Sequence, residues 1–164
     1  MIFSGPAITG NCSLSLIAFE NREPSIHPGT RKDAKESPMK LRIKGNSLRL
    51  RVSPSEMERL LSAGGIEEIV HFAPDQDAKL TYALELEVSK QEITVRYRPQ
   101  EVTVVLSSES VRKWARSEKV GIYGVVDVGC GQLTLAVEKD FACFDGSEAG
   151  NEDSFTNPNS AKVC

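Results

Sequence analysis

Residues 52–70 read VSPSEMERLLSAGGIEEIV, and residues 106–124 read LSSESVRKWARSEKVGIYG. The fold turns on whether these stretches are one pattern used twice. In each, a strand ends on an apolar residue, Val52 or Leu106, and a serine, Ser53 or Ser107, stands at the turn into a helix. Three apolar positions then coincide: Met57 with Val111, Leu60 with Trp114, and Leu61 with Ala115. Their spacing of i, i+3 and i+4 makes one narrow helical stripe. A new strand opens at Ile66 or Val120. Farther along, LTYALE at Leu80 matches LTLAVE at Leu133. Two segments repeating in the same order, about fifty residues apart, indicate an internal duplication, with generic α+β patterning as the alternative.

Local chemistry supports both helices. Ser53 and Glu56 have the spacing of a capping box, and Pro54 fits the first helical position, where no N–H is needed. Gly64 and Gly65 can end the first helix in the left-handed conformation. The second helix begins at Ser107 or Ser108, with Glu109 favoured by the helix dipole. Each helix has about three turns, too few to be stable without packing its stripe on a sheet.

The strands read by alternation. Leu48, Leu50 and Val52 point one way, Arg49 and Arg51 the other. Tyr82, Leu84, Leu86 and Val88 oppose Thr81, Ala83, Glu85 and Glu87; Ile93, Val95 and Tyr97 oppose Thr94, Arg96 and Arg98. Strands with one wet face belong mostly to antiparallel sheets. DVGCGQ from Asp127 reads as a hairpin loop. The expected fold is α+β: internally duplicated β-β-α-β-β units form a curved antiparallel sheet or small barrel, with two short helices on its apolar face or ends.

The chain has 164 residues and a formal net charge of −3. That length suits one domain with flexible ends. Residues 1–38, interrupted by Pro and Gly and then rich in charge, read as a disordered arm or as an extension mis-called upstream of a native start at Met39. Residues 39–144 read as a single α+β domain, and residues 145–164 as an acidic flexible tail. The charge argues against a nucleic-acid partner, and no apolar run of about 20 residues marks a membrane span. Cys12, Cys130, Cys143 and Cys164 are too scattered for a disulfide framework, so the expected setting is the reducing cytoplasm.

Candidate chemistry lies in three places. The polar strand faces carry Lys40, Arg42, Lys44, Arg49, Arg51, Arg96 and Arg98 together with Glu85 and Glu87. Turned into a closed barrel they would make a charged tunnel; turned to solvent they form cross-strand pairs. ELEVSK from Glu85 resembles the glutamate–lysine pattern of triphosphate tunnel enzymes, although Lys90 stands one residue too far along. That resemblance implies a metal-dependent phosphoanhydride hydrolase holding magnesium on Glu85 and Glu87. Cys143 and Cys164, with His71, supply soft ligands for zinc, the basis of a zinc or thiol sensor, although no C-x-x-C pair is present. Glu138, Lys139 and Asp140, at a strand end, could hold a ligand or fasten the tail to Lys40 or Arg42. Asp145, Glu148, Glu152 and Asp153 do not follow a calcium-loop spacing and read as a solvated tail.

MKLRIKGNSLRLRVSPSE, LTYALE and VEKDFACF, with ED and NP near the end, resemble a small bacterial family of uncharacterised proteins. Its members open with K-x-R-I-K-G-N-S and close with E-K-D-F-x-C-L; Phe144 here replaces the leucine. The resemblance covers Met39 to the C-terminus and implies no activity. In the absence of a catalytic constellation, the expectation is a non-enzymatic binding or accessory module. It would need no cofactor, and its partner would be a protein or a small anion. Its ligand would be held by Arg49, Arg51, Glu85, Glu87, Arg96, Arg98, Glu138, Lys139 and Asp140.

Overall fold

The computed structural model describes residues 38–142 and 153–156. The chain runs β1 (Lys40–Ile43), β2 (Ser47–Val52), α1 (Pro54–Ala63), β3 (Gly65–His71) and β4 (Lys79–Glu87). It continues through β5 (Ile93–Arg98), β6 (Glu101–Ser107), α2 (Ser108–Ala115), β7 (Gly121–Asp127) and β8 (Gln132–Lys139). The expected order β-β-α-β-β therefore occurs twice.

Each helix follows from its local sequence. Ser53 Oγ accepts from Glu56 N–H, Glu56 Oε2 accepts from Ser53 N–H at 2.9 Å, and Pro54 opens the helix. Gly64 closes α1 with φ of 81°, a conformation that a Cβ disfavours. Ser107 stands at the start of α2 but caps nothing with its side chain; the Ser108 hydroxyl instead donates to the Glu87 carbonyl. The stripe residues Met57, Leu60, Val111 and Trp114 are buried, while Leu61 is exposed.

The strands form two four-stranded sheets, ordered β1-β2-β8-β7 and β3-β4-β6-β5. Neighbours close in sequence pair antiparallel, as alternation implied. Each sheet is mixed, because its central pair is parallel: β2 with β8, and β4 with β6. Neither sheet closes into a barrel. Both helices carry the chain from one sheet to the other, since β2 and β7 lie in the first and β3 and β6 in the second.

The two sheets obey one register. Val52 stands beside Lys139, and Leu106 beside Leu86. Ser47 stands beside Thr134, and Glu101 beside Thr81. Laying the first repeat on the second, with Val52 over Leu106 and LTYALE over LTLAVE, carries each pair onto its counterpart. A shift of one residue would have turned every side chain to the other face.

The inward faces meet in one apolar cluster. Leu50, Val52, Ile122, Leu135 and Val137 come from the first sheet; Ile66, Leu84, Val104 and Leu106 come from the second. A fully buried leucine of this kind contributes roughly 1.5–3 kcal/mol relative to an exposed one. Tyr82, whose hydroxyl donates to the Met39 carbonyl at 2.7 Å, ties β4 to the residue before β1. On the opposite flank β5 packs on β7, where the Ile93 side chain fills the space a side chain on Gly124 would need. Two strand-end expectations change. Val88 lies beyond β4 and is fully exposed, and Tyr97 is exposed near the end of β5. Past β8, Phe155 returns to bridge Phe141 and packs on the core.

Candidate functional site: the outer face of the first sheet

The charged residues expected on the wet faces of β2, β4, β5 and β8 face away from the core, with Lys139 the exception. They do not converge on a lumen, so the tunnel expectation does not hold. They divide between two faces, and comparing matching rows shows how those faces differ.

Across the first sheet one row reads Arg42, Arg49, Ala136, Tyr123. The matching row of the second sheet reads Arg96, Thr103, Ala83, Glu67. The next row of the first sheet is Lys40, Arg51, Glu138, Gly121; its counterpart is Thr94, Val105, Glu85, Gly65. Both sheets therefore place a glutamate, Glu138 or Glu85, opposite a glycine. They differ at the neighbouring strand, which carries Arg49 and Arg51 in one sheet and Thr103 and Val105 in the other.

That difference decides where the charges go. In the second sheet the small Thr103 and Val105 let Arg96 reach across β6. Its guanidinium pairs with Glu85, and with Glu87 at 2.9 Å. Thr103 and Val105 are buried beneath it although they lie on the outer face. One cation meets two carboxylates, which leaves the group without a positive surplus. Arg98 lies a row away, directly opposite Glu101.

In the first sheet Arg49 and Arg51 occupy that space themselves. Their Nε atoms lie 3.7 and 3.6 Å from the two oxygens of Glu138. The Tyr123 hydroxyl donates to Glu138 Oε1 at 3.3 Å, and burial, with the Glu138 charge next, raises the Tyr123 pKa. Lys40 pairs with Asp140, just past the end of β8, at 2.6 Å. Arg42, the counterpart of Arg96, has no ion pair among the described residues. Four cations thus face two carboxylates on one exposed surface. The terminal nitrogens of Arg49 and Arg51, the fork that takes a carboxylate or phosphate, have no protein partner among the described residues.

The other expected site residues scatter. Lys139 turns to the opposite side of β8 from Glu138 and Asp140. It is buried, donates to the Ser117 carbonyl and lies 5.3 Å from the centre of the Phe155 ring; burial lowers its pKa. It is a structural cation, not a partner of its two neighbours. His71 is exposed on the edge strand β3. Cys143 and Cys164 lie outside the described residues, as do Asp145, Glu148 and Glu152. Among the described residues no group of three or more His, Cys, Asp or Glu side chains is placed to hold a metal ion.

Two acidic groups take on more than the sequence assigned them, and the solvated-tail expectation does not hold for Asp153. Asp153 docks on the start of α1, where its carboxylate accepts from Ser55 N–H at 3.2 Å and from the Ser55 hydroxyl at 2.5 Å. Burial works against its ionised form, but the serine hydrogen bonds outweigh it and lower the pKa. Glu56, only 2 % exposed, has no hydrogen-bond partner for Oε1. Burial, opposed by the Ser53 bonds, raises its pKa to about 7. A buried carboxyl missing one partner is costly to charge.

The fold and its two unequal faces describe an α+β protein built on a repeated module. The chain belongs to a family of unknown function, DUF7009, whose profile matches residues 39–159. Comparison with curated proteins and with solved structures returned no match. Among the described residues no helix is long and apolar enough to cross a membrane.

Proposed function

We propose that the protein is a binding module for a small, multiply charged anion, seated on the outer face of the first sheet. The observation that carries this reading is the broken symmetry between the two faces. Where the second sheet has Thr103 and Val105, the first has two arginines, and Arg42 is left without the carboxylate pair that its counterpart Arg96 holds. Arginine forks and a lysine suit phosphate or carboxylate oxygens. Tyr123, exposed beside them, donates its hydroxyl to Glu138 and helps hold that carboxylate in place. On this reading the two halves descend from one module, and the arginines mark a departure of one copy from the other. The reading takes the cytoplasm as the setting, from the scattered cysteines.

The hydrolase alternative has less support, because the Arg96 guanidinium occupies the space between Glu85 and Glu87 that a metal would need. Calorimetric titration with tripolyphosphate separates the readings. Binding that weakens as salt is added, and is lost when Arg49→Thr and Arg51→Val copy the second sheet onto the first, supports the anion module. No binding, or equal binding by the double variant, rejects it. Phosphate release in the presence of magnesium, above that of Glu85→Gln, would favour the hydrolase.

A further inference from the structure

We infer that β3 is a self-complementary edge, and that two copies of this chain pair antiparallel through it, centred on Ile69. The four edge strands are not alike. β5 and β7 pack on each other, and β1 is short and alternately basic. β3 is seven residues long, with Ile69 45 %, Val70 38 % and the following Phe72 71 % exposed. Such an edge invites another strand.

The ladder fixes which backbone groups are free. Phe72 N–H donates to the Ala78 carbonyl, and β3 pairs with β4 in uninterrupted register. Antiparallel hydrogen-bonded pairs recur at every second residue. Ile66, Glu68 and Val70 therefore turn their peptide groups toward β4, while Glu67, Ile69 and His71 turn theirs outward. A second copy related by a two-fold axis perpendicular to the sheet must place like faces together, so the axis passes through a residue paired with itself.

Three such registers bring the exposed residues together, and charge chooses among them. Centring on Glu68 sets two glutamates face to face. Centring on Val70 sets Ile69 against histidine and Glu68 against the aromatic Phe72. Centring on Ile69 pairs Ile69 with itself, Glu67 with the partner's His71 twice over, and Ile66 with the partner's Phe72. That register forms about six backbone bonds. It opposes acid to base and covers the exposed ring. Glu68 falls beside the partner's Val70, well away from the other Glu68. The anion-binding face lies on the other sheet, so this inference stands apart from the proposed function.

The test uses the full chain. Sedimentation across a dilution series should show a species of two chains. Ile69→Lys, which sets two cations on the axis, should raise the dissociation constant by about tenfold or more while leaving the thermal melt of the monomer in place. His71→Glu should weaken association, and adding Glu67→Lys to it should restore it. Cysteine crosslinking reads the register directly. In a parent carrying Cys12→Ser, Cys130→Ser, Cys143→Ser and Cys164→Ser, Ile69→Cys should give a disulfide-linked dimer under a copper oxidant, because residues paired on the axis bring their Cα atoms to about 5.5 Å. Glu68→Cys and Val70→Cys should not. A single-chain species at every soluble concentration, or crosslinking at 68 or 70 in place of 69, overturns the inference.

Discussion

Replacing Glu56 with glutamine tests how the first helix is anchored, because it removes a charge while keeping the cap. Glu56 Oε2 accepts from Ser53 N–H, while Oε1 is buried without a partner. Burial lifts the folded pKa to about 7, from 4.5 for an unperturbed glutamate. Between those values the folded chain holds a proton that the unfolded chain has released. Stability therefore falls as pH rises from 4.5 to about 7, by about 3 kcal/mol at roughly 1.4 kcal/mol per pH unit, and levels off above that. The charges nearest this group are Glu68 on β3, which raises its pKa, and Arg59 on α1, which lowers it.

Glu56→Gln has no such slope. Its amide can still accept from Ser53, but its NH2 group takes the place of Oε1 and finds no acceptor, at a cost of about 1–3 kcal/mol. The variant should be less stable than the native chain at pH 5 and should draw level with it or exceed it at pH 8. Urea midpoints measured from pH 5 to pH 8 read this as two curves that converge or cross, with other titrating groups cancelling in the difference. Parallel curves would refute the reasoning and would mean that Glu56 is ionised at little cost.

Other outcomes follow from packing and pairing. Gly124→Val should destabilise by about 1–3 kcal/mol, because the new side chain would overlap Ile93 where β7 meets β5; an unchanged denaturation midpoint would contradict the close approach. Phe155→Ala should destabilise by a few kcal/mol and expose the amides of Phe155 and Ala142 to hydrogen exchange, since those amides donate to the Asp140 and Phe155 carbonyls. Arg96→Ala should cost no more than about 1 kcal/mol, because the pair it forms with Glu85 and Glu87 is about half exposed; a larger loss in chemical denaturation would mean that its cover over Thr103 and Val105 matters more than its charge.

Much of this architecture is legible in the residues because its causes are local. Ser53, Glu56 and Pro54 fix the start of α1 within one turn of chain, and Gly64 fixes its end. Alternation assigns Arg49, Arg51, Glu85 and Glu87 to a wet face. It assigns a face without naming a neighbour, so the parallel pairs β2–β8 and β4–β6, formed between distant segments, could not be read. That is why the sequence alone groups residues of two separate surfaces into one candidate site. The division of Lys139 from Glu138 and Asp140 was readable, since adjacent strand residues point to opposite faces. The docking of Asp153 on Ser55 was not, because nothing near either residue announces the other. The broken symmetry needed both alignment and register: Val52 over Leu106 equates Arg49 and Arg51 with Thr103 and Val105, and LTYALE over LTLAVE equates Glu85 with Glu138, but only pairing shows that these strands stand side by side.

The central claim is that the first sheet, and not its counterpart, presents the anion surface. Titrating the isotope-labelled protein with pyrophosphate while following backbone and arginine side-chain resonances tests it most directly. Saturable shifts confined to Lys40, Arg42, Arg49, Arg51, Tyr123 and Glu138, with Thr94, Arg96, Thr103, Val105 and Glu85 unmoved, are the predicted result. Shifts centred on the second sheet, or none beyond those produced by sodium chloride at equal ionic strength, would contradict it.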